Sequence, residues 1–453
     1  MTQCIYIQPS KHGAPDCVFP LSFLDTYFMP INLILVLQGR LNRDRFCQSL
    51  SETLSVYYPV CGRFQRPSLA TQGELRLHLY NSVPIFWLPD SKSVFHRSIW
   101  KSFVRSISTG SIIKGQDTPL LQVTVTYLPY TSQSIVGVSF CHLLGDASSL
   151  HSFLKAWSDI YTTGSMLRRP PTLLRIRFPT DAVVIPTAVE RIPHRLPRRS
   201  QRFASNLVRR IMTYGPLAYA IIFKTLEYAR FRISAKDLAI LSQQAQSKLS
   251  PATCSTQDAF KAYLLKALNR YVYNGLTALP RITRIVTIVD ARKIRKVPET
   301  YFGNCITAVD TPYLPASKSL AEVAQTVRDE ILTLTPDALA IGDDWTRAIQ
   351  SANGLMKLTP AFDPDTLYVN DWTKISVESI NFGLEQALFC QPLEVESLPV
   401  RNWCMIYREK GKQATGNSKF AYEVQVAVPR GKAASLVEGF ASDVDEGFAE
   451  YFW

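Results

Sequence analysis

The 453-residue sequence contains no GxSxG elbow, no GxxxxGK[ST] loop and no GxGxxG fingerprint. Those absences remove the usual signatures of α/β-hydrolases, P-loop nucleotide hydrolases and Rossmann dinucleotide enzymes. Cysteine is sparse: nine residues, an odd number, scattered and never spaced as CxxC, so neither a disulfide framework nor a zinc site is implied. The cysteines read as small buried apolar side chains, and no metal is expected. Long apolar runs are missing as well. The N-terminal MTQCIYIQPSKHGAPDC lacks the basic flank and continuous apolar stretch of a secretory signal, and the longest later run, around LAYAIIF, is too short to span a bilayer. A soluble, cytoplasmic chain with no membrane span is expected.

Acidic residues are outnumbered, 37 Asp and Glu against 50 Lys and Arg, leaving a formal charge of +13. An evenly spread excess would point to nucleic acid, but here it is concentrated. Arg168, Arg169, Arg175, Arg177, Arg191, Arg195, Arg198, Arg199, Arg202, Arg209 and Arg210 share one segment with Pro170, Pro171, Pro179, Pro186, Pro193 and Pro197. Proline lacks the backbone donor that helices and central strands need, so the segment reads as a long solvated crossover. A surface that draws a phosphate-bearing ligand is the second reading. No aromatic-and-basic module accompanies it, and a nucleic-acid partner is not expected.

What is present is a well-packed globular chain, 46% hydrophobic and 11% aromatic, long enough for two domains. Before the crossover, NLILVLQG, LRLHLY, PLLQVTVTYLP and QSIVGVSF read as strands. Asn42 can cap a helix with Phe46, Leu50, Leu54 and Tyr57 on one face, ended by Pro59. After it, EYARFRIS, RITRIVTIVDAR, ISVES, WCMIYR and FAYEVQVAV read as strands, with helices from Ser234, from Ser255 and over AASLVEGFASDVDEGFAEYF. Ser255 and Asp258 form an acidic variant of a capping box. Both halves mix strands with helices, which makes the fold class α+β.

Two histidines precede an aspartate by four residues: His12 with Asp16, and His142 with Asp146. His12 comes before any recognisable strand and has Pro15 in its spacer, so it belongs to a loop. His142 ends a strand rich in β-branched residues, and Leu150, Phe153, Leu154, Trp157, Ile160 and Tyr161 then recur at helical spacing. A rigid strand end followed by a turn is how a fold presents a functional side chain. A buried histidine satisfied by backbone is the competing reading. Cys141 points to the opposite face of an extended strand, which argues against a Cys–His pair. The chemistry open to a lone presented histidine is general-base activation of a hydroxyl or amine.

HLLGDA at His142 to Ala147 resembles the HxxxDG signature of the BAHD-type acyl-CoA-dependent acyltransferases of plants and fungi, with Ala147 in place of the glycine. LSFLD at Leu21 to Asp25, YYPVCGRF at Tyr57 to Phe64, STQDAF at Ser255 to Phe260, VDARK at Val289 to Lys293 and YFGN at Tyr301 to Asn304 follow in the family's order. NDW at Asn370 to Trp372 stands where the family has a similar tryptophan-containing strand. Asn381-Phe382-Gly383-Leu384-Glu385 departs from the family's DFGWG, a drift that points to a fungal secondary-metabolite member.

The resemblance implies two similar chloramphenicol-acetyltransferase-like domains, each a mixed sheet covered by helices, with a channel between them. The expected boundaries are 1–180 for the first domain with a returning segment about 381–409, 181–214 for the crossover, and 215–453 for the second domain. It implies a monomer that takes acyl-CoA as co-substrate and passes acetyl or another short acyl group to a hydroxyl, less readily an amine, of a small secondary metabolite. His142 would be the general base, with no covalent acyl-enzyme. Asp146 would face away from the channel and pair with Arg292. Asn370 and Trp372 would contact substrate or the oxyanion, and Ser255, Thr256 and Asn304 would bind CoA. The competing function is a repurposed member, a ligand-binding protein or cyclisation catalyst of the same pathway.

Overall fold

Nine-residue apolar stretches organise the molecule. The computed structural model of the chain describes residues 2–10, 18–25, 27, 29–65, 76–79, 81–91, 102–165, 169–176, 223–247, 254–274, 281–343, 362–392, 400–408 and 420–448. The crossover expected over 181–214 lies outside them, as do His12 and Asp16. In chain order the strands are β1 (Gln3–Ile7), β2 (Val18–Pro20), β3 (Pro30–Gln38), β4 (Arg63–Gln65), β5 (Arg76–His78), β6 (Val83–Trp87), β7 (Leu121–Leu128), β8 (Gln133–Cys141), β9 (Leu226–Ser234), β10 (Arg284–Asp290), β11 (Ile306–Asp310), β12 (Thr366–Asp371), β13 (Glu385–Pro392), β14 (Trp403–Arg408) and β15 (Phe420–Pro429). The helices are α1 (Arg43–Val56), α2 (Thr109–Ile113), α3 (Ala147–Thr163), α4 (Ala235–Ser247), α5 (Thr256–Ala267), α6 (Leu320–Leu332) and α7 (Ala433–Asp445).

Two six-stranded mixed sheets result, ordered β1-β6-β7-β8-β3-β13 and β11-β10-β12-β14-β15-β9, with a small sheet β2-β5-β4 beside the first. Strands β3 and β8 are buried along nearly their whole length because each has neighbours on both edges and cover on both faces. Strands β10, β12 and β14 run parallel, so their C-terminal ends meet at one edge. Side-chain alternation divides the second sheet between two cores. Leu367, Val369, Cys404 and Ile406 pack in the core of the second sheet's own helices. Tyr368, Trp403, Met405 and Tyr407 pack in the core of the first sheet.

Asn42 caps α1 by accepting from the Arg45 amide at 3.0 Å, and Phe46 of that helix stacks 4.4 Å from Trp157 of α3. Phe382, from the divergent NFGLE segment, is fully buried against Phe46, Trp157 and Tyr161, and its amide donates to Ser158 Oγ at 2.8 Å. That segment is an anchor that pins α3 from far along the chain.

Two expectations change. Of the returning segment 381–409, β13 does pair with β3, but β14 belongs to the second sheet between β12 and β15. ISVES is no strand: Val377–Ser379 forms a 3-10 turn. Its β-branched residues are overruled because His151 Nε2 of α3 bonds Ser376 O at 3.0 Å and Ser379 Oγ at 3.3 Å, holding the segment against a helix.

Gly137 lies mid-way along β8, where an added Cβ would sit 2.0 Å from the Phe103 carbonyl oxygen. Backbone cannot yield as a flexible side-chain tip does. Gly137→Ala is expected to destabilise the protein by about 1–3 kcal/mol in denaturant unfolding, the usual cost of overpacking. Gly110→Ala, in α2 with only Ser108 Oγ near at 3.9 Å, should be neutral or slightly stabilising.

Candidate active site

Strand β8 delivers His142 by running out of sheet. Its last rung is the His142 amide donating to Met29 O at 3.1 Å, after which the Leu144 amide turns back to Cys141 O at 3.0 Å. Asp146 then caps α3, its Oδ1 accepting from the Ser149 amide at 3.1 Å. The imidazole is half-buried, its Nδ1 inside, and the Tyr27 ring lies 5.0 Å away, tilted by 47°. Tyr27 itself is 38% exposed, so it borders the histidine from the solvent side.

The Asp146 carboxylate has no capacity left for the imidazole. Arg292, just beyond β10, grips it with two bonds, Nη1 to Oδ2 at 2.9 Å and Nη2 to Oδ1 at 2.8 Å. The Cys305 amide donates to Oδ2 at 2.9 Å. Asp146 and Arg292 are both buried. Arg292 also donates to Asp290 Oδ2, Ser149 Oγ and the carbonyl of Gly303. Burial alone would weaken the guanidinium, but Asp146 and Asp290 together raise its pKa above the ordinary value. A carboxylate saturated in this way holds a turn in place rather than orienting a ring.

A second buried cluster lies under the same turn. Asp25 Oδ2 accepts from the Ser22 amide at 2.7 Å, and its Oδ1 accepts from the Asn304 amide at 3.1 Å and from Asn304 Nδ2 at 2.8 Å. Arg175 Nε stands 3.6 Å from Asp25, while its terminal nitrogens donate to Phe302 O at 2.6 Å and Leu144 O at 3.0 Å. This corrects the solvated reading of Arg175, which is 4% exposed. Asn304, expected to bind CoA, belongs to the same cluster. It is fully buried, and its second amide proton goes to the carbonyl of His142 at 2.7 Å. The sequence carried a signal for both: an aspartate inside the apolar LSFLD and an asparagine inside YFGN have no reason to be there unless they are bonded.

The remaining expected residues divide. Asn370 lies half-buried at the end of β12, opposite Ile288 and Met405. Asp290, at the same edge, accepts from Ser148 Oγ of the histidine's helix at 3.1 Å. Trp372 is buried in the core shared with Leu143 and Leu144, and its amide is spent on Ile406 O at 2.7 Å, so it offers a wall rather than a backbone donor. Ser255 and Asp258 form the reciprocal capping box of α5, and Arg328 sits 2.6 Å from Asp258. Thr256 Oγ1 bonds Ser242 Oγ at 3.4 Å. None of these Ser255 and Thr256 bonds reaches the His142 turn.

Electrostatics favour a neutral imidazole. Burial pushes the His142 pKa below its ordinary 6.5, against the opposing pull of Asp146, its own carbonyl, the Asn304 amide and Asp25. Burial also pushes the Cys141 thiol up to about 12, so the adjacent sulfur stays protonated and unreactive.

A model of the Transferase family matches residues 1–399. The malonyl-coenzyme:anthocyanin 5-O-glucoside-6'''-O-malonyltransferase of Salvia splendens is 24% identical, covering 96% of this chain and 94% of the relative. Phenolic glucoside malonyltransferase 1 of Bemisia tabaci is 25% identical over 57% of the chain and 56% of its own length. Among solved structures, vinorine synthase superposes with a TM-score of 0.66 at 16% identity, covering 97% of this chain and 98% of that one. TRI101 of F. graminearum, solved with coenzyme A and deoxynivalenol, gives 0.64 at 17% identity, covering 96% and 98%. At these identities the structures establish a common two-domain fold. With the match spanning 399 of 453 residues, the chain belongs to the Transferase family and is an acyl-CoA-dependent O-acyltransferase of the BAHD type.

Proposed function

We propose that this enzyme transfers a short acyl group, with malonyl the first to test, from its CoA thioester to a hydroxyl of a small glycosylated or otherwise hydroxylated metabolite, with His142 as general base. The observation that carries the reading is a half-buried, neutral imidazole at the end of a fully paired strand, beside a carboxylate spent entirely on an arginine and two backbone amides. Malonyl is favoured over acetyl because the relatives above are malonyltransferases acting on glucosides. The acceptor oxygen attacks the thioester carbonyl as His142 takes its proton. The C–S bond then breaks, and the proton passes from the imidazolium to the departing thiolate, releasing CoA as a free thiol.

Asn370, at the end of β12, is the residue we assign to the developing oxyanion, and the Ser255–Thr256 start of α5 is assigned to a CoA phosphate. We take 1–180 and 215–453 as the two domains, a division supported by the two separate sheets, with β13 paired in the first. A non-acylating role is the weaker reading, since it leaves the presented imidazole without a task.

His142→Ala should leave a folded protein whose acyl transfer from malonyl-CoA falls by at least about a hundredfold, the scale of general-base loss. Steady-state turnover alongside circular dichroism checks this, and near-normal turnover in a folded variant refutes it. The wild-type pH profile follows from the depressed imidazole pKa. A base is active when deprotonated, so the acidic limb of kcat/KM should titrate below pH 6.5 and the rate should be flat through neutrality.

The Asp146–Arg292 pair predicts coupled losses. Asp146→Asn and Arg292→Gln should each lower stability by about 3–5 kcal/mol, because each removes the bidentate partner of a buried charge; Arg292 would keep only the partly exposed Asp290. The double variant should cost less than their sum. If Asp146 instead oriented the ring as in a protease triad, Asp146→Asn would cut turnover by orders of magnitude at unchanged stability, and Arg292→Gln would do little.

A further inference from the structure

Tyr27 stands in sequence between two residues tied to the histidine turn. On one side the Asp25 carboxylate is bonded to the Ser22 amide and to Asn304, and on the other Met29 O accepts from the His142 amide at 3.1 Å. The Tyr27 ring lies against the imidazole at 5.0 Å. Among the described residues this is the ring contact that His142 makes, and the Tyr27 hydroxyl has no hydrogen-bond partner. Burial, and then the charge of Asp146, raises the phenol pKa above its ordinary 10.0, so the side chain stays uncharged at working pH. Tyr27 therefore gives the histidine bulk and no charge.

The charged groups that act on the imidazole are Asp146, held by Arg292, and Asp25, which faces Arg175. Both carboxylates favour the protonated ring, and burial outweighs them. Tyr27 contributes to that burial from the exposed side of a half-buried imidazole. A base able to take a proton from an acceptor hydroxyl can also take one from water, so the site has to keep water away from it. We infer that the Tyr27 ring is the shield that keeps water from His142, so that the CoA thioester is spent on the acceptor hydroxyl and not on hydrolysis. The inference rests on the general-base reading above and deepens it. Tyr27 acts through His142 and is a positioning residue, with its aromatic ring and not its hydroxyl as the working part. Without the ring, the oxygen of a water molecule attacks the thioester carbonyl while His142 takes one of its protons. The C–S bond breaks, that proton passes to the departing thiolate, and the new carboxylic acid releases its remaining proton to solvent.

The test needs no acceptor. Wild type, Tyr27→Phe and Tyr27→Ala are incubated with malonyl-CoA alone, and in parallel with acetyl-CoA alone, and free CoA is quantified by chromatography. Wild type and Tyr27→Phe should release CoA at the same slow rate, and Tyr27→Ala at least about tenfold faster with one or both donors. Both variants should melt within about 2 °C of wild type, since the side chain is exposed and its hydroxyl bonds nothing. The His142 pKa is followed by NMR of ¹⁵N-histidine-labelled protein, its signal among the six histidines identified by loss in His142→Ala. It should lie below 6.5 in wild type and Tyr27→Phe, and rise toward 6.5 in Tyr27→Ala, because burial is what depresses it.

Wild-type CoA release by Tyr27→Ala would overturn the inference, as would an unchanged His142 pKa in that variant. Fast release by Tyr27→Phe would overturn it too, by placing the role in the hydroxyl. Should Tyr27→Ala not fold, Tyr27→Val carries the same expectations. The double variant Tyr27→Ala/His142→Ala separates the two readings. Its release should fall back to the wild-type rate. Fast release that survives loss of His142 is a failure of the general-base reading, whereas no rise in Tyr27→Ala itself is a failure of the shield.

Discussion

The Asp146–Arg292 ion pair bridges two sheets that, among the described residues, share no hydrogen-bonded strand. Asp146 stands at the head of α3, fed by β8 of the first sheet, and Arg292 follows β10 of the second. Removing two charges from water is costly, and the cost is recovered only when every lone pair and proton finds a partner. Here the carboxylate takes four donors, and the guanidinium reaches Asp290, Ser149 and the Gly303 carbonyl besides. The pair is therefore a registration device. It lets the histidine turn form in one place, with the Asp290 edge of the second sheet against Ser148.

Around it the fold has little freedom. YFGN is held from the first sheet's side by Arg175 and Asp25 and from the α3 side by Ser149. An added Cβ at Gly303 would lie 2.0 Å from Arg175 Nη1, which is why the residue between Phe302 and Asn304 has no side chain. At the far end of α3, Phe382 locks the helix from the C-terminal half. The histidine is thus carried on an element fixed at both ends by chain more than a hundred residues away, as a base needs when sub-ångström placement governs rate.

The division of labour between the two buried carboxylates accounts for the shape of the site. Asp146 is spent on structure, and Asp25 orients Asn304, whose amide reaches the histidine backbone. Neither carboxylate bonds the imidazole, which leaves burial as the largest influence on its pKa and keeps it neutral. Neutral pH then finds the ring able to accept a proton.

Local pattern determined much of this. Helical spacing and the Asn42 and Ser255 caps marked α1, α3 and α5, and apolar stretches marked β3, β8 and β10, because those signals depend only on neighbours in the chain. The presentation of His142 at a strand end was legible for the same reason, and family order along the chain supplied the expected Asp146–Arg292 pairing. Tertiary structure alone decided the rest. ISVES has the composition of a strand and becomes a turn because His151 captures it. Arg175, embedded among arginines and prolines, looks solvated and is buried because Asp25, 150 residues earlier, lies opposite it. Asn304, which the resemblance assigned to CoA, bonds the histidine's own backbone, a contact that no local pattern announces. Each of these depends on a partner distant in sequence, and a polar side chain's role is set by which partner is there when water has been excluded.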